Sequence, residues 1–136
     1  MDIAVLVVDD DNDVRAMLRM LFEGEGYQVF EAPDGKLALE RLCGNSDSLV
    51  VLLDYYMPRI DGWQVLEAIA QDDDLVQRHA FILGTATFAL PLAFVRLLTQ
   101  LNVPVVFKPF DLDELLTAVQ QAVGRLAQVK ARKLGG

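Results

Sequence analysis

The chain is 136 residues long, enough for one domain with little room for a second. Hydrophobic residues make up 53% of it, charged residues 24%, and the mean hydropathy is +0.29, which excludes a disordered or fibrous chain. The net charge of −8 is concentrated before residue 80, where 17 acids face 6 bases, against 3 and 6 after it. A net-acidic domain repels phosphate backbones, so direct nucleic-acid binding is not expected. The N-terminal excess of carboxylates points instead to a cation site.

Cys43, the single cysteine, cannot close an internal disulfide, and Asp2 stands where a secretory signal would be basic, so a cytoplasmic protein is expected. Residues 80–107 hold one charge, Arg96. Their longest uncharged run is sixteen residues, broken by Gly84, Thr85, Thr87 and Pro91, too short and punctuated for a membrane span.

Ile3–Val8 reads as a buried strand. Val14, Met17, Leu18, Leu21 and Phe22 keep the spacing of one helical face, which Gly24 and Gly26 close. Tyr27–Glu31 reads as a second strand, ended by Pro33-Asp34-Gly35, and a short helix follows through Leu37, Ala38 and Leu42. Leu49–Leu53 is an unbroken aliphatic strand, as expected where both sheet faces are covered. A loop with Met57-Pro58 and Asp61-Gly62 leads to a helix carrying Val65, Leu66 and Ile69, and Asp72-Asp73-Asp74 reads as a solvated turn. Phe81–Leu83 and Val105–Phe107 are the fourth and fifth strands, with a helix near Leu92–Leu101 between them. Asp111 and Glu114 have capping-box spacing ahead of a last amphipathic helix through Leu112, Leu115, Leu116, Val119, Val123 and Leu126. Residues 127–136 form a basic tail at its end, expected to fray.

Five strand-then-helix units imply an α/β domain over residues 1–126, with a parallel sheet covered by helices on both faces. Ligands bind such sheets beyond the carboxyl ends of the strands. The residues there are Asp9-Asp10-Asp11, Asp54, Thr85-Ala86-Thr87 and Lys108-Pro109. Singly, each has an ordinary reading: a solvated loop with a helix cap, a turn, a half-buried hydroxyl, a surface lysine. Gathered at one sheet edge they do not. Two unit charges about 4 Å apart cost on the order of 4 kcal/mol at an effective dielectric near 20, so clustered carboxylates need an offset. A hard divalent cation supplies one. Mg²⁺ takes carboxylates, waters and a phosphoryl oxygen, while a lysine and a threonine hydroxyl suit phosphoryl oxygens. The set fits phosphoryl transfer with a carboxylate nucleophile.

The segments V-L-V-V-D-D-D (Val5–Asp11), L-L-D-Y-Y-M-P-R-I-D-G (Leu52–Gly62), L-G-T-A (Leu83–Ala86) and F-K-P-F (Phe107–Phe110) resemble the receiver domains of two-component response regulators, over residues 3–126. The resemblance implies a flavodoxin-like, doubly wound five-stranded sheet of order 2-1-3-4-5 with five helices. It implies that Asp54 accepts a phosphoryl group from a phosphohistidine on a sensor histidine kinase or a histidine phosphotransfer protein. Asp10 and Asp54 would bind Mg²⁺ directly, with the backbone carbonyl of Tyr56 as a further ligand and Asp9 acting through water; Mn²⁺ would substitute. Lys108 and Thr85 would hold phosphoryl oxygens, and the Lys108–Pro109 bond would be cis. Such a chain is a regulator that assists its own phosphorylation and dephosphorylation, not an enzyme acting on others.

The sequence departs from this family at Val105, where a Tyr or Phe normally relays the signal, and at Leu101-Asn102-Val103-Pro104, where a Gly-Ala pair usually stands. The helix near Leu92–Leu101 is apolar on nearly every face, which predicts an exposed apolar patch and self- or partner-association through that helix, the fifth strand and the last helix. Tyr55 and Tyr56 after the acceptor read as ordinary loop packing, but the resemblance implies that the Tyr56 side chain lies over the phosphoryl group, where a bulky ring would hinder attacking water. Other functions fit less well. A haloacid-dehalogenase-type phosphohydrolase wants an Asp where Tyr56 stands. A flavodoxin needs a Ser/Thr/Gly-rich phosphate loop in place of Asp9–Asp11, and a pseudo-receiver would have lost one of the five site positions. His79 has no metal-ligand partners at suitable spacing, and Cys43 reads as a helix-end residue. No output domain fits after residue 126, which leaves a single-domain regulator or a receiver from a longer protein.

Overall fold

The computed structural model describes residues 3–44 and 47–135. The elements run β1 (Ile3–Val8), α1 (Asn12–Gly24), β2 (Val29–Ala32), α2 (Gly35–Gly44), β3 (Ser48–Asp54) and α3 (Gly62–Ala70). They continue with α4 (Asp73–Arg78), β4 (Ala80–Thr85), α5 (Leu92–Gln100), β5 (Val105–Phe107) and α6 (Leu112–Gly135). All strand pairs are parallel and the order is β2-β1-β3-β4-β5, the flavodoxin-like arrangement.

Alternation along the strands builds two cores. Ala4, Leu6 and Val8 of β1 pack with Leu49, Val51, Leu53 and Leu83 against α2, α3 and α5. Ile3, Val5 and Val7 face the other way, with Val50, Leu52 and Ile82, against Leu18 and Phe22 of α1 and Leu115, Val119 and Leu126 of α6. Each fully buried Leu or Val stabilises the fold by about 1.5–3 kcal/mol, so both layers are needed to hold the strand ends in place.

Short polar side chains start the helices where the strands stop. The Asp11 carboxylate accepts from the Asp13 and Val14 amides at the start of α1, and Asp34 accepts from Leu37 at the start of α2. Asp61 and Gln64 form a reciprocal capping box on α3, and Asp111 accepts from the Glu114 amide at the start of α6. Gly26, at φ 90°, carries the turn after α1 that a side chain would strain.

The expected elements are present, with two corrections. Among the described residues there are six helices, not five, because Asp72–Asp74 is no plain turn: Asp72 caps α4 through the Asp74 and Leu75 amides. The basic residues after Leu126 form the last turns of α6, which runs to Gly135. On α5, Phe94 and Leu98 are buried and Leu97 packs against the core, so the apolar surface narrows to Leu92 and Val95 beside Phe88 of the preceding loop.

His79 is buried between α2 and β3. Its Nδ1 accepts from the Leu49 amide at 3.1 Å, which leaves Nε2 to donate to the Leu42 carbonyl at 3.1 Å. Burial lowers its pKa, so the ring is a neutral structural tie. Cys43 is exposed near the end of α2.

Candidate functional site

The crossovers reverse direction between β1 and β3, and the carboxyl ends of β1, β3, β4 and β5 converge there. Asp9 follows β1 directly and is buried; Asp54 is the last residue of β3 and is buried; Thr85 ends β4 and is buried. Lys108 follows β5, and its amide donates to the Thr85 carbonyl at 2.9 Å, extending the ladder by one residue. The Lys108–Pro109 bond is cis.

The lysine joins strands that are distant in sequence. Its Nζ donates to Asp9 Oδ2 at 2.8 Å and to Asp54 Oδ1 at 3.1 Å. The Asp9 Oδ1 accepts from the Asp11 amide at 2.9 Å, so both Asp9 oxygens are engaged. Asp10 is exposed, yet carboxylate oxygens of Asp9, Asp10 and Asp54 all lie within 4.8 Å of one another. Three carboxylates against one ammonium leave the pocket net negative and oxygen-rich, which fits a hard divalent cation.

Burial pushes the Asp54 carboxyl up to about 6, the Asp9 charge adds to the rise, and Lys108 opposes it. Burial works against the charged form of Lys108, but its contacts with Asp9 and Asp54 prevail and hold its pKa above the usual value.

Gly62 lets α3 start close against the acceptor loop, and Gly84 makes room for the Phe110 ring. A Cβ at Gly62 would stand 2.7 Å from the Asp54 carbonyl oxygen, and the Gly62 amide donates to the Tyr55 carbonyl at 2.9 Å. A Cβ at Gly84 would stand 3.0 Å from Phe110 Cζ. Tyr55 is buried and its ring stacks on Phe94 of α5, which also stacks on Trp63 of α3. Tyr56 is 65% exposed beside the site, its ring 4.7 Å from that of Tyr55. The Thr85 hydroxyl accepts from the Thr87 amide at 3.1 Å, and Thr87 Oγ1 accepts from the Ala89 amide at 3.1 Å.

Asp9, Asp10, Asp54 and Lys108 thus meet at one cluster, with Thr85 on the neighbouring strand end and Tyr56 exposed two residues past Asp54. Sequence reasoning missed Arg15, whose Nη1 donates to the Asp9 carbonyl at 2.7 Å. The available signal was an arginine in the first turn of a helix that starts at the acidic cluster. It also missed the Tyr55–Phe94–Trp63 stack, for which no local signal exists.

The family model described as the response regulator receiver domain matches residues 5–120. Sporulation initiation phosphotransferase F of Bacillus subtilis (strain 168) is 34% identical over 118 residues, 86% of this chain and 90% of that protein. Regulatory protein AtoC of Escherichia coli (strain K12) is 37% identical over 119 residues, 88% of this chain and 25% of that protein. The chain therefore spans a quarter of AtoC, and 52% of the response regulator MprA of Mycobacterium sp. (strain KMS). Among solved structures, a CheY-like receiver domain protein from Methanospirillum hungatei JF-1 superposes with a TM-score of 0.76 at 28% identity. That match covers 96% of this chain and 99% of that one.

Proposed function

Because the chain belongs to the response regulator receiver family, the phosphoacceptor modules of two-component signalling, we propose that Asp54 is the residue that takes the phosphoryl group. The observation that carries this reading is the contrast among the three carboxylates. Asp9 has both oxygens engaged and Asp10 is exposed, whereas Asp54 is buried at a strand end, next to the Lys108 ammonium that can neutralise an incoming oxygen.

Receiver domains take their phosphoryl group from histidine kinases or histidine phosphotransfer proteins. In the proposed step an Asp54 carboxylate oxygen forms a bond to phosphorus while the phosphorus–nitrogen bond to the donor histidine breaks, and the electron pair leaves with the imidazole. Asp10, Asp54 and the Tyr56 backbone carbonyl would hold Mg²⁺ directly, or Mn²⁺ in its place, with Asp9 acting through water. When bound, the ion neutralises carboxylate and phosphoryl charge together. Lys108 turns from Asp9 and Asp54 to a phosphoryl oxygen, and the Thr85 hydroxyl leaves the Thr87 amide for another. The same groups let the chain assist its own phosphorylation and dephosphorylation. Incubation with acetyl phosphate and Mg²⁺ should add one phosphoryl group by intact mass, absent in Asp54→Asn and in chelator. Equal labelling of that variant would sink the assignment.

For output we propose association through α5, β5 and α6, present before phosphorylation. Phe88 is 81% exposed, Leu92 64% and Val95 39%, and Phe107 of β5 stacks on Phe88 at 4.3 Å. Val105, where the family normally carries an aromatic relay, lines a groove of about 810 Å³ with Leu90, Val95, Leu98 and Val103. Sedimentation velocity at micromolar concentration should show association that Leu92→Glu abolishes; Leu98 is buried and is the wrong place for that charge. A monomeric wild type would refute it. No helix among the described residues is long and apolar enough to cross a membrane, and we place this domain in the cytoplasm without direct nucleic-acid contact. Relatives titled as transcriptional regulators exceed it in length.

A further inference from the structure

Asp9 is held at every polar atom. Its amide donates to the Ala32 carbonyl at 3.2 Å, Oδ1 accepts from the Asp11 amide, and Oδ2 accepts from Lys108. Its carbonyl accepts from Arg15 Nη1 at 2.7 Å. That last contact comes from outside the five site positions, and it fixes more than Asp9. The carbonyl of residue 9 and the amide of residue 10 share one rigid plane. Holding the carbonyl therefore sets the direction in which Asp10 leaves the chain.

Arg15 is itself braced. Its side chain is 13% exposed, its Nε donates to Glu31 Oε1 of β2 at 3.3 Å, and Nη2 donates to Asn12 Oδ1. The other Glu31 oxygen accepts from Arg19 at 2.7 Å. The hydrogen bond from Arg19 is the main reason the Glu31 carboxyl lies below its ordinary pKa, with Arg15 adding to it, so Glu31 stays charged as an anchor. A planar guanidinium can span carbonyl and carboxylate in this way; a lysine ammonium cannot hold both in one plane.

We propose that Arg15, anchored by Glu31, is a positioning residue for the divalent cation: it fixes the Asp9–Asp10 peptide so that the Asp10 carboxylate meets those of Asp9 and Asp54. The inference rests on the cation reading of that cluster. Arg15 has two conceivable effects, and they have opposite signs. As a positive charge near carboxylates it would oppose cation binding, so its loss would tighten binding. As a clamp on the peptide it favours binding, so its loss weakens it. The geometry makes the clamp dominant, because the charges of Arg15 and Arg19 are together matched by Glu31 and Glu23.

The test is a titration of the 136-residue protein with Mg²⁺ alone, followed by the backbone amide resonances of Asp10, Asp11 and Tyr55. Removing partners of metal ligands commonly costs 10–100-fold in affinity. Arg15 acts through backbone, which places the expected loss at the lower end, about tenfold, in both Arg15→Gln and Arg15→Lys. Phosphorylation by acetyl phosphate should slow in both at low Mg²⁺ and recover when Mg²⁺ is raised, a pattern that a general loss of folding does not produce. Glu31→Gln, which leaves Arg15 in place but removes the charge that anchors it, should weaken Mg²⁺ in the same direction. Binding as tight as wild type or tighter in Arg15→Gln would overturn the proposal while leaving the cation site standing. A wild type whose Asp10 and Tyr55 amides ignore Mg²⁺ would overturn both.

Discussion

Converting Asp54 to Asn should stabilise the protein when no divalent cation is present, although it removes the phosphoacceptor. In the folded chain the Asp54 carboxyl is raised from 3.8 to about 6, first by burial and then by the charge of Asp9. At about 1.4 kcal/mol per unit, keeping this group ionised costs the fold roughly 3 kcal/mol at neutral pH. Solvent reaching the carboxylate from the exposed Asp10 side screens part of that, which leaves about 1–2 kcal/mol. The native state binds this proton more tightly than the unfolded chain does. The cost is therefore full above the folded value near 6, shrinks as pH falls, and is gone below 3.8. Thermal melts in chelator at pH 7.5 should place the Asp54→Asn variant roughly 3–6 °C above wild type, and melts near pH 4 should coincide. Added Mg²⁺ should close the gap by stabilising wild type through binding. A variant no more stable than wild type at pH 7.5, or one equally favoured at pH 4, would refute the argument that buried like charges strain this site.

If the exposed Tyr56 ring shields the acyl phosphate, Tyr56→Asn should shorten its lifetime after the phosphodonor is removed; unchanged or slower hydrolysis, read by intact mass, would dismiss the shield. Gly62→Ala should push the acceptor loop away, since its Cβ would stand 2.7 Å from the Asp54 carbonyl oxygen. The expected result is a loss of about 1–3 kcal/mol in urea unfolding together with slower phosphorylation, and a wild-type rate would show that the close approach is unimportant. His79→Ala strands the buried Leu49 amide and should cost about 1–3 kcal/mol. Because the folded His79 pKa is lowered, its contribution is present above the unfolded value of 6.5 and lost as pH falls below it. Measured in the Asp54→Asn background, where the opposing Asp54 slope is absent, His79→Ala should flatten the decline of stability from pH 7 to 5.

Strands and amphipathic helices are local objects, and this sequence marks them locally. The aliphatic run Leu49–Leu53 and the spaced face Val14–Phe22 each carry their own period, and Asp11, Asp34 and Asp111 announce helix starts from the residue itself. Once the elements alternate, the parallel sheet and the edge where Asp9, Asp54, Thr85 and Lys108 emerge follow from crossover geometry. The short helix Asp73–Arg78 escaped because six residues are under two turns, too few to show a period, although Asp72 was a legible cap.

What depended on the tertiary structure is everything set by partners remote in the chain. Lys108 Nζ lies between Asp9, 99 residues away, and Asp54, 54 residues away, and no local pattern encodes that bridge. On α5 Arg96, Thr99 and Gln100 mark one narrow polar stripe, but apolar residues fill the rest of the helix, so packing against Tyr55 and Trp63 decides that Phe94 is buried while Leu92 faces out. Arg15 looks like any first-turn arginine until β2 brings Glu31 beside it and β1 presents the Asp9 carbonyl. Sequence determines an element through interactions within a few residues; a site's charges and distances come from long-range contacts, which exist only after the two hydrophobic layers have closed on the sheet.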